Sequence, residues 1–366
     1  MGQEDHLWAC PPRTQAKLEI LTHYLSAWFG ILASNGFRHV FYIDGFCGPG
    51  RYLGGEDGSP IIATRLANST AQKNPGFKAT LIFVDNEPQA IEHLKARGAI
   101  KGRHSNVVVD LKQGAFTDEV DGIVGALEAS PSSPVFSFID PFGFSQSPFS
   151  TFKQLMRNKS SEIFINLMCG FMNRFKEHSD DRITQNIRDM VGTDDLTDII
   201  RSTDPIDAIC YAFEKNLRTI GEYTLKFMMR DEGNIRDNAF FFSGKHPRGF
   251  EKIKQAMWKV DPIHGNSFSA FRSGGSIQSD MFESGPQTQE LYGLIANEFG
   301  GRSGVSVEEI FKWVIEETDT FLPPHARVEL EMLSQRGAIR AIHDPSGSRR
   351  KRAKNTWPKR LLLNFA

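Results

Sequence analysis

Short apolar segments alternate with helical patterns along the first half of the chain, and this alternation limits the folds that the chain can adopt. Strands of a parallel sheet are covered by helices on both faces, so their sequences are apolar almost throughout. The alternation therefore predicts an α/β fold built on a mostly parallel sheet. Five strands are predicted in this stretch, at His39–Ile43, Ala79–Val84, Val107–Val109, Val135–Ile139 and Glu162–Leu167.

Two further strands complete the predicted sheet. They lie at Tyr223–Met229 and Ala239–Ser243 and are separated by a polar, turn-like segment. A hairpin after five strand–helix units is typical of an antiparallel edge on a mostly parallel sheet. Before this hairpin, residues 175–220 are polar and helical in pattern, and we interpret them as a helical insertion. The sequence thus predicts a seven-stranded, Rossmann-like sheet.

The C-terminal part of the chain has the pattern of a second, smaller domain. Residues 265–286 are rich in Gly and Ser and form a candidate linker after a first domain at 1–264. Residues 287–366 contain three short helical patterns and then two apolar segments, which are the parts of a winged helix-turn-helix. Ser306, with Glu309 three residues later, has the capping-box pattern of a helix start. A chain of 366 residues favours this division, because one hydrophobic core rarely fills so long a chain.

Composition and charge exclude several classes of protein. The formal net charge is −1, so the overall charge of the molecule does not attract nucleic acid, and any basic surface is local. The four cysteines are scattered without a CxxC pair, which argues against a zinc site and favours a reducing compartment. The N-terminus lacks the pattern of a signal peptide, and no apolar run reaches the roughly 18 residues of a membrane span. We therefore expect a cytoplasmic protein without a membrane segment.

A glycine-rich loop directly follows the first strand and precedes a helix. Glycine adopts backbone angles closed to other residues, and an acidic residue at the end of the strand lies where Rossmann-type sheets bind ligands. The spacing is not G-x-G-x-x-G and no Walker-type Lys-Ser or Lys-Thr pair follows, which disfavours a nicotinamide dinucleotide or a P-loop. An Asp before a G-x-G loop is the form that methyltransferases use for the cationic amino-acid end of S-adenosylmethionine (SAM). The loop is Asp44-Gly45-Phe46-Cys47-Gly48-Pro49-Gly50; Asp44, Phe46, Gly48 and Gly50 are predicted to bind SAM, and a tight turn without a ligand is the alternative.

Two later segments are candidates for the rest of the cofactor site. Asp85 ends the second strand, where an acidic group can accept hydrogen bonds from ribose hydroxyls, although it also stands at a good helix start. Both interpretations stay open. After the third strand, methyltransferases often place an acidic residue near the adenine, but here Ala115 takes that position. We expect backbone groups, together with Ala115 and Phe116, to contact the adenine.

The loop after the fourth strand is a candidate catalytic motif. Enzymes that methylate exocyclic amino groups carry an (Asp/Asn/Ser)-Pro-Pro-(Tyr/Phe) tetrapeptide there. Its first side chain accepts a hydrogen bond from the amino group, and its ring stacks on the flipped base. Here the second Pro is replaced and an aromatic residue follows one position late. Asp140, Pro141, Phe142 and Phe144 are the predicted catalytic residues, and a rigid turn with buried aromatic rings is the alternative.

Basic residues stand out at two places. Lys17 lies on the predicted first helix and is a candidate to contact an anionic group in the cleft. In the predicted wing, a basic run would bind the phosphate backbone of DNA or RNA, although such runs are often solvated loops. This run comprises Arg349, Arg350, Lys351, Arg352 and Lys354.

Three groups of residues resemble those of the bacterial three-Cys-motif partner proteins, over most of residues 8–260. The first group is Trp8, Pro12, Thr14, Lys17, Ile20, Leu21, Tyr24, Leu25, Ala27 and Trp28. The second is the glycine loop with Tyr42, Ile43, Tyr52 and Gly58-Ser59-Pro60, and the third is Lys245-His246-Pro247 with Gly249, Lys252, Met257 and Trp258. The resemblance implies a methyltransferase-like fold and a partner protein with three clustered cysteines, similar to radical-SAM-like proteins. It carries over Asp44, Gly48 and Gly50 as cofactor-loop positions, and also Asp85, and it implies no defined substrate.

Together these features predict a SAM-dependent methyltransferase that acts on nucleic acid at an exocyclic amino group. A non-catalytic, methyltransferase-like scaffold that binds nucleic acid and the three-cysteine protein is the alternative, motivated by Ala115 and the imperfect Asp140 motif. A nuclease ranks last, because the sequence offers no convincing set of metal-binding carboxylates.

Overall fold

The structure is a computed structural model that describes residues 7–230, 235–269, 285–343 and 356–366. These residues form two compact units. The first contains the described residues up to 256 together with 267–269, and the second contains 257–266 and the described residues from 285 onward. Within these ranges, every helix is too short or too polar to cross a lipid bilayer.

The first unit is built on one large sheet with helices packed on it. Its strands are β1 (His39–Asp44), β2 (Lys78–Asp85), β3 (Val107–Gln113), β4 (Val135–Ile139), β5 (Ser161–Leu167), β6 (Tyr223–Arg230), β7 (Arg236–Gly244) and β8 (Ser267–Ser269). Its helices are α1 (Pro12–Ser34), α2 (Ser59–Lys73), α3 (Pro88–Ala96), α4 (Gly98–Lys101), α5 (Phe116–Glu128), α6 (Phe149–Leu155), α7 (Cys169–Phe175), α8 (Asp181–Val191), α9 (Thr197–Arg201) and α10 (Pro205–Leu217). A further helix, α11 (Pro247–Val260), begins in this unit.

The strand order in the large sheet is β3-β2-β1-β4-β5-β7-β6-β8. The pairs among β1 to β5 are parallel, whereas β7 is antiparallel to both of its neighbours. The mostly parallel sheet with an antiparallel strand near one edge is therefore confirmed. It has eight strands where the sequence predicts seven, because the three residues of β8 pair in parallel with β6.

The position of the ligand crevice follows from this order. The chain moves outward from β1 to β3 and then returns to add β4 on the other side of β1. In open α/β sheets, ligands bind outside the carboxyl ends of the strands at such a switch point. The loops that follow β1 and β4 therefore meet at the crevice.

The two faces of the sheet have different cores, because successive side chains of a strand point to opposite faces. On one face, aliphatic residues such as Ile43, Ile139 and Ile165 pack in one cluster with residues of α5, α6, α8 and α10. The other face is aromatic. There Phe136 lies 5.0 Å from Tyr24 of α1 and 6.1 Å from Tyr42, measured between ring centroids. This packing fixes α1 on the sheet next to the crevice strands.

Four helices, α7 to α10, separate β5 from β6 where the sequence predicts a helical insertion. The break between α9 and α10 is explained by two residues. The Asp204 side chain accepts a hydrogen bond from the Asp207 N–H, and Pro205 occupies the first turn, where its missing N–H costs nothing.

The second unit has three longer helices and a small sheet. The helices are α12 (Gln289–Phe299), α13 (Val307–Glu317) and α14 (Pro323–Gln335), and the strands are β9 (Val305–Ser306), β10 (Ile339–His343) and β11 (Leu362–Phe365). The strands pair antiparallel in the order β10-β11-β9. Ser306 accepts a hydrogen bond from the Glu309 N–H at the start of α13. Arg349, Arg350, Lys351, Arg352 and Lys354, the basic residues of the predicted wing, lie outside the described residues.

Candidate functional site

The glycine loop after β1 is anchored to the strands on both sides. The Gly45 N–H donates to the Phe138 carbonyl of β4, and the Cys47 N–H donates to the Val84 carbonyl of β2, each at 3.0 Å. Gly48 and Gly50 have φ angles of +60° and +77°. A Cβ atom at Gly50 would overlap the Leu94 side chain as well. The loop therefore requires glycine for its conformation and for the close approach of α3.

Asp85, at the end of β2, holds this loop in place. Its Oδ2 accepts a hydrogen bond from the Gly48 N–H at 2.8 Å, and its Oδ1 accepts one from the Glu87 N–H at 2.9 Å. The residue thus stabilises both the glycine loop and the turn before α3. A carboxylate has about four lone-pair positions, so each oxygen keeps a free one, although the residue is only 7% exposed.

Asp44 lies beneath the loop and is wholly buried, with an exposed fraction of 0%. Its carboxylate accepts hydrogen bonds from the Phe46 N–H at 3.4 Å and from the Tyr42 hydroxyl at 3.3 Å. Burial raises the pKa of Asp44 to about 7; a hydrogen bond from Ser59 lowers it, and the charge of Asp140 raises it. A cation placed against Asp44 would therefore favour the ionised form at neutral pH.

Asp140 follows β4 and is held by two side chains that the sequence alone does not link to it. Lys17 of α1 forms an ion pair with its Oδ2, and the Asn166 amide donates to its Oδ1 at 2.8 Å. The anionic group expected for Lys17 is thus Asp140 itself. The only sequence signal for Asn166 is a polar residue near the end of the otherwise apolar strand β5.

The aromatic residues after Asp140 have different environments. Phe142 is 69% exposed, and its ring centroid lies 5.5 Å from that of Trp8. Trp8 in turn lies over the loop, 3.9 Å from where a Cβ of Gly48 would be. Pro141 and Phe144 are buried, and the Phe144 ring packs against Phe171 and other aromatic residues. Phe142 is consequently the accessible ring of the predicted catalytic motif.

Of the two residues predicted to contact the adenine, Phe116 packs inside the protein and only Ala115 is exposed. Phe116 is buried, and its ring lies 5.6 Å from the Phe46 ring and against Gly45. It supports the glycine loop from below. Ala115, by contrast, is exposed just before α5.

Tyr52 is a further residue of this region, and in the sequence it belongs to the motifs of the family resemblance. Burial raises its pKa, and the charges of Asp140, Cys10 and Asp44 raise it further. The phenol is thus neutral and lies near both carboxylates. Its signal in the sequence is an aromatic residue two positions after Gly50.

The residues around the loop fit the chemistry of SAM in three respects. Asp44 offers an acidic group for the cationic amino-acid end, the glycines allow close main-chain approach, and Asp85 offers a carboxylate that can accept hydrogen bonds from ribose hydroxyls. Because Asp44 is wholly buried, a ligand that contacts its carboxylate has to displace covering side chains. Among the residues that the structure describes, no group of three or more His, Cys, Asp or Glu side chains is placed to hold a metal ion.

Comparisons with known proteins give distant similarities. No protein-family model matches the chain, and no curated protein matches it. Similar solved structures include a Legionella pneumophila protein of the family DUF519, with 12% identity and a TM-score of 0.39 over 64% of this chain and 88% of that chain. A putative class I SAM-dependent methyltransferase from Listeria monocytogenes is similar with 12% identity and a TM-score of 0.34, over 65% of this chain and 61% of that chain. A putative O-methyltransferase from Klebsiella pneumoniae is similar with 11% identity and a TM-score of 0.32, over 61% of this chain and 80% of that chain.

Proposed function

We propose that the protein is a SAM-dependent methyltransferase that acts on nucleic acid at an exocyclic amino group. One observation carries the proposal. Asp44, Asp85 and Asp140 follow or end β1, β2 and β4, and they surround a loop with two positive-φ glycines at the switch point of the sheet. This is the place where α/β sheets bind nucleoside ligands.

On the cofactor side, each residue has a chemical role. Asp44 binds the cationic amino-acid end, Phe46 shapes the loop, and the main chain at Gly48 and Gly50 approaches the ligand. Asp85 accepts hydrogen bonds from the ribose through the lone pairs that its two backbone contacts leave free. The bound cofactor supplies an already activated methyl group on a sulfonium, so the protein contributes mainly positioning.

On the acceptor side, Asp140 accepts a hydrogen bond from the target amino group. Lys17 and Asn166 each occupy one of its oxygens and fix the orientation of the carboxylate, which leaves further lone pairs for the substrate. Phe142 is exposed beside Asp140 and offers a face on which a flipped base can stack. The proposed contact with the phosphate backbone is made by the basic run at 349–354, in a C-terminal module of the winged-helix type. The three helices and the β10–β11 ribbon of the second unit support this module.

A second candidate is a non-catalytic scaffold that binds nucleic acid and a three-cysteine-motif partner protein. The observation that favours it is that the three acidic groups are buried or already bound to other groups of the same chain. Asp44 is wholly buried, Asp85 accepts two backbone hydrogen bonds, and Asp140 is paired with Lys17. Such a site can persist as structure without a ligand.

A methyl-transfer assay separates the two candidates. The full chain is incubated with tritium-labelled SAM and separate pools of duplex DNA, single-stranded DNA and RNA. We expect label in one pool, and a loss of at least about 100-fold in Asp140→Ala, since the acceptor would lose its positioning group. Asp121→Asn, which changes an exposed aspartate of α5, is the matched control and should retain transfer.

Two outcomes count against the proposal. Full transfer by Asp140→Ala would show that the assignment of this residue is wrong. Absence of label in all three pools, in a protein that binds S-adenosylhomocysteine (SAH), would favour the scaffold.

A further inference from the structure

A cavity lies at the edge of the sheet opposite the glycine loop, and we call it the amino-edge cavity. Its volume is about 670 Å³, within the range of roughly 300–1,000 Å³ that is typical of ligand pockets. Pro134 and Ser161, which line it, stand at the amino ends of β4 and β5. Asp44 and Asp140 lie at the carboxyl ends of β1 and β4, so the cavity is separate from the candidate site. All of its lining residues belong to the first unit.

One wall of the amino-edge cavity is apolar and partly aromatic. The second half of α1 contributes Trp28, Ile31 and Leu32, and Phe37 follows the helix. The Trp28 ring is held by the buried ring of Phe136, at 6.0 Å between centroids. A rigid wall of this kind suits a planar apolar group, because stacking on an aromatic face adds to the burial of apolar area.

The floor of the cavity is polar, and one of its groups lacks a partner. The Tyr24 hydroxyl donates to Glu162 Oε2 at 2.7 Å, and a Cβ at Gly249 would overlap Glu162 Oε1. Ser161 is 1% exposed, and its hydroxyl has no hydrogen-bond partner among the described residues. Because a buried hydroxyl without a partner is unfavourable, Ser161 is a candidate to bond a ligand in the cavity that it lines.

The rim of the cavity is basic. Lys159, Lys245, Arg248 and Lys252 line it, and Arg248 pairs with Glu251 at 2.8 Å. Lys245 donates to main-chain carbonyls. Within the described ranges, no carboxylate pairs with any of the three lysines. Since α11 begins at this rim, the positive end of its helix dipole adds to the positive potential of the lysines. The rim thus favours a ligand with more than one negative charge.

We propose that the amino-edge cavity binds a nucleoside phosphate. The base packs on the apolar wall at Phe37, which is 36% exposed, the phosphates contact Lys159 and Lys252, and Ser161 bonds a polar group of the ligand. The base is the flat apolar part of such a ligand and matches the wall, and the phosphates are its multiply charged part and match the rim. The proposal does not depend on methyl transfer, since it involves no residue of the glycine loop.

Calorimetric titration of the full chain with ADP, GDP, CDP and UDP tests this site. Each titration is repeated in the presence of saturating SAH. We expect at least one nucleotide to bind with a Kd below about 1 mM, and we expect SAH not to displace it. Failure of all four nucleotides to bind, or displacement of the nucleotide by SAH, would overturn the proposal. Binding of SAH itself is measured separately, so the two sites can fail independently.

Variants then assign the contacts. The double substitution Lys159→Ala and Lys252→Ala should weaken nucleotide binding by about tenfold or more, since charge-assisted hydrogen bonds are lost. Lys73→Ala with Lys215→Ala, two exposed lysines outside the cavity, is the control and should bind as the parent protein does. Ser161→Ala should weaken binding about threefold to tenfold without lowering the unfolding temperature, because the hydroxyl has no partner in the described chain. Unchanged affinity in the double lysine variant would contradict the proposed phosphate contacts.

Discussion

At the carboxyl edge of the sheet, three aspartates surround the glycine loop, whereas at the amino edge lysines and an arginine line a cavity. The acidic groups of the first edge are bound to other parts of the same chain: Lys17 pairs with Asp140, and Asp85 accepts from Gly48. The lysines of the second edge have no carboxylate partner in the described residues. Stability and ligand binding are therefore coupled in the acidic groups of the carboxyl edge and separable in the lysines of the amino edge.

The largest difference between the edges should appear on removing a lysine from each. Lys17→Ala leaves Asp140 largely buried without its cation, and the expected loss is about 3–5 kcal/mol of unfolding free energy. Lys252→Ala removes a cation from the amino-edge rim and should change stability by less than about 0.5 kcal/mol. Urea unfolding of the two variants measures both values. Equal losses in the two variants would show that the lysines of the two edges contribute equally to the unfolding free energy.

A control addresses the origin of the first loss. In the double variant Lys17→Met and Asp140→Asn the buried charges are both absent, and most of the stability should return, because neutral packing replaces the ion pair. A double variant as unstable as Lys17→Ala would mean that the hydrogen bonds of the ion pair, rather than the cost of an unpaired buried charge, account for the loss.

The glycine loop should be the next most sensitive feature. Gly50→Ala places a side chain at φ +77° and against Leu94, with an expected loss of about 2–4 kcal/mol. The matched control is Gly122→Ala in α5, where the added Cβ meets no atom within 4 Å. That substitution should raise stability by about 0.5–1 kcal/mol, since alanine is the better helix former. Thermal unfolding of both variants measures these changes. An unfolding temperature of Gly50→Ala equal to that of the parent protein would contradict the prediction.

Each edge contains a buried carboxyl group, and this gives a shared dependence on pH. The pKa values of Asp44 and Glu162 are both raised by burial to about 7, from ordinary values of 3.8 and 4.5. Between these limits the folded protein retains protons that the unfolded chain has released. Stability contributed by the protonated groups is therefore present below the ordinary pKa and is lost as the pH rises to about 7.

Substitution by the matching amide should flatten this dependence. Asp44→Asn and Glu162→Gln should each reduce the fall in unfolding free energy between pH 4.5 and pH 8 by on the order of 2 kcal/mol. Urea unfolding across this pH range gives the slopes. A slope unchanged in both variants would show that other groups titrate on folding.

The smallest effect is expected at Asp85. Asp85→Asn keeps one carbonyl oxygen and loses one of the two acceptors that bind the Gly48 and Glu87 N–H groups, so about 1 kcal/mol should be lost. If Asp85 also binds ribose, the same variant should lower SAH affinity by at least about tenfold. Loss of stability alone would identify Asp85 as only a structural cap.

The sequence was sufficient for features that depend on neighbours along the chain. Apolar strands that end in Asp44 and Asp85 are local patterns, so the crevice and its acidic groups could be placed from them. Ser306 is a helix cap for the same reason.

Contacts between distant parts of the chain could not be placed in this way. The Lys17–Asp140 pair joins residues 123 positions apart, and only the packing of α1 on the sheet brings them together. The same packing, with the start of α11, creates the amino-edge cavity. The motif after β4 also does not tell which aromatic ring is accessible: the ring of Phe144 is buried, while that of Phe142, two positions earlier, is exposed. Burial of a loop residue depends on the whole fold.

Calorimetric titration of SAH at pH 6 and pH 8 tests whether Asp44 and the glycine loop bind the cofactor. The titrated proteins are the full chain, Asp44→Asn and the control Asp121→Asn. If the cationic end of the ligand binds Asp44, whose pKa is about 7, affinity should rise about tenfold between the two pH values as the carboxylate ionises. Asp121→Asn should show the same rise, and Asp44→Asn should bind weakly at both. Absence of SAH binding to the unsubstituted chain at pH 8, or equal affinity in Asp44→Asn, would contradict the assignment of the glycine loop as a cofactor site.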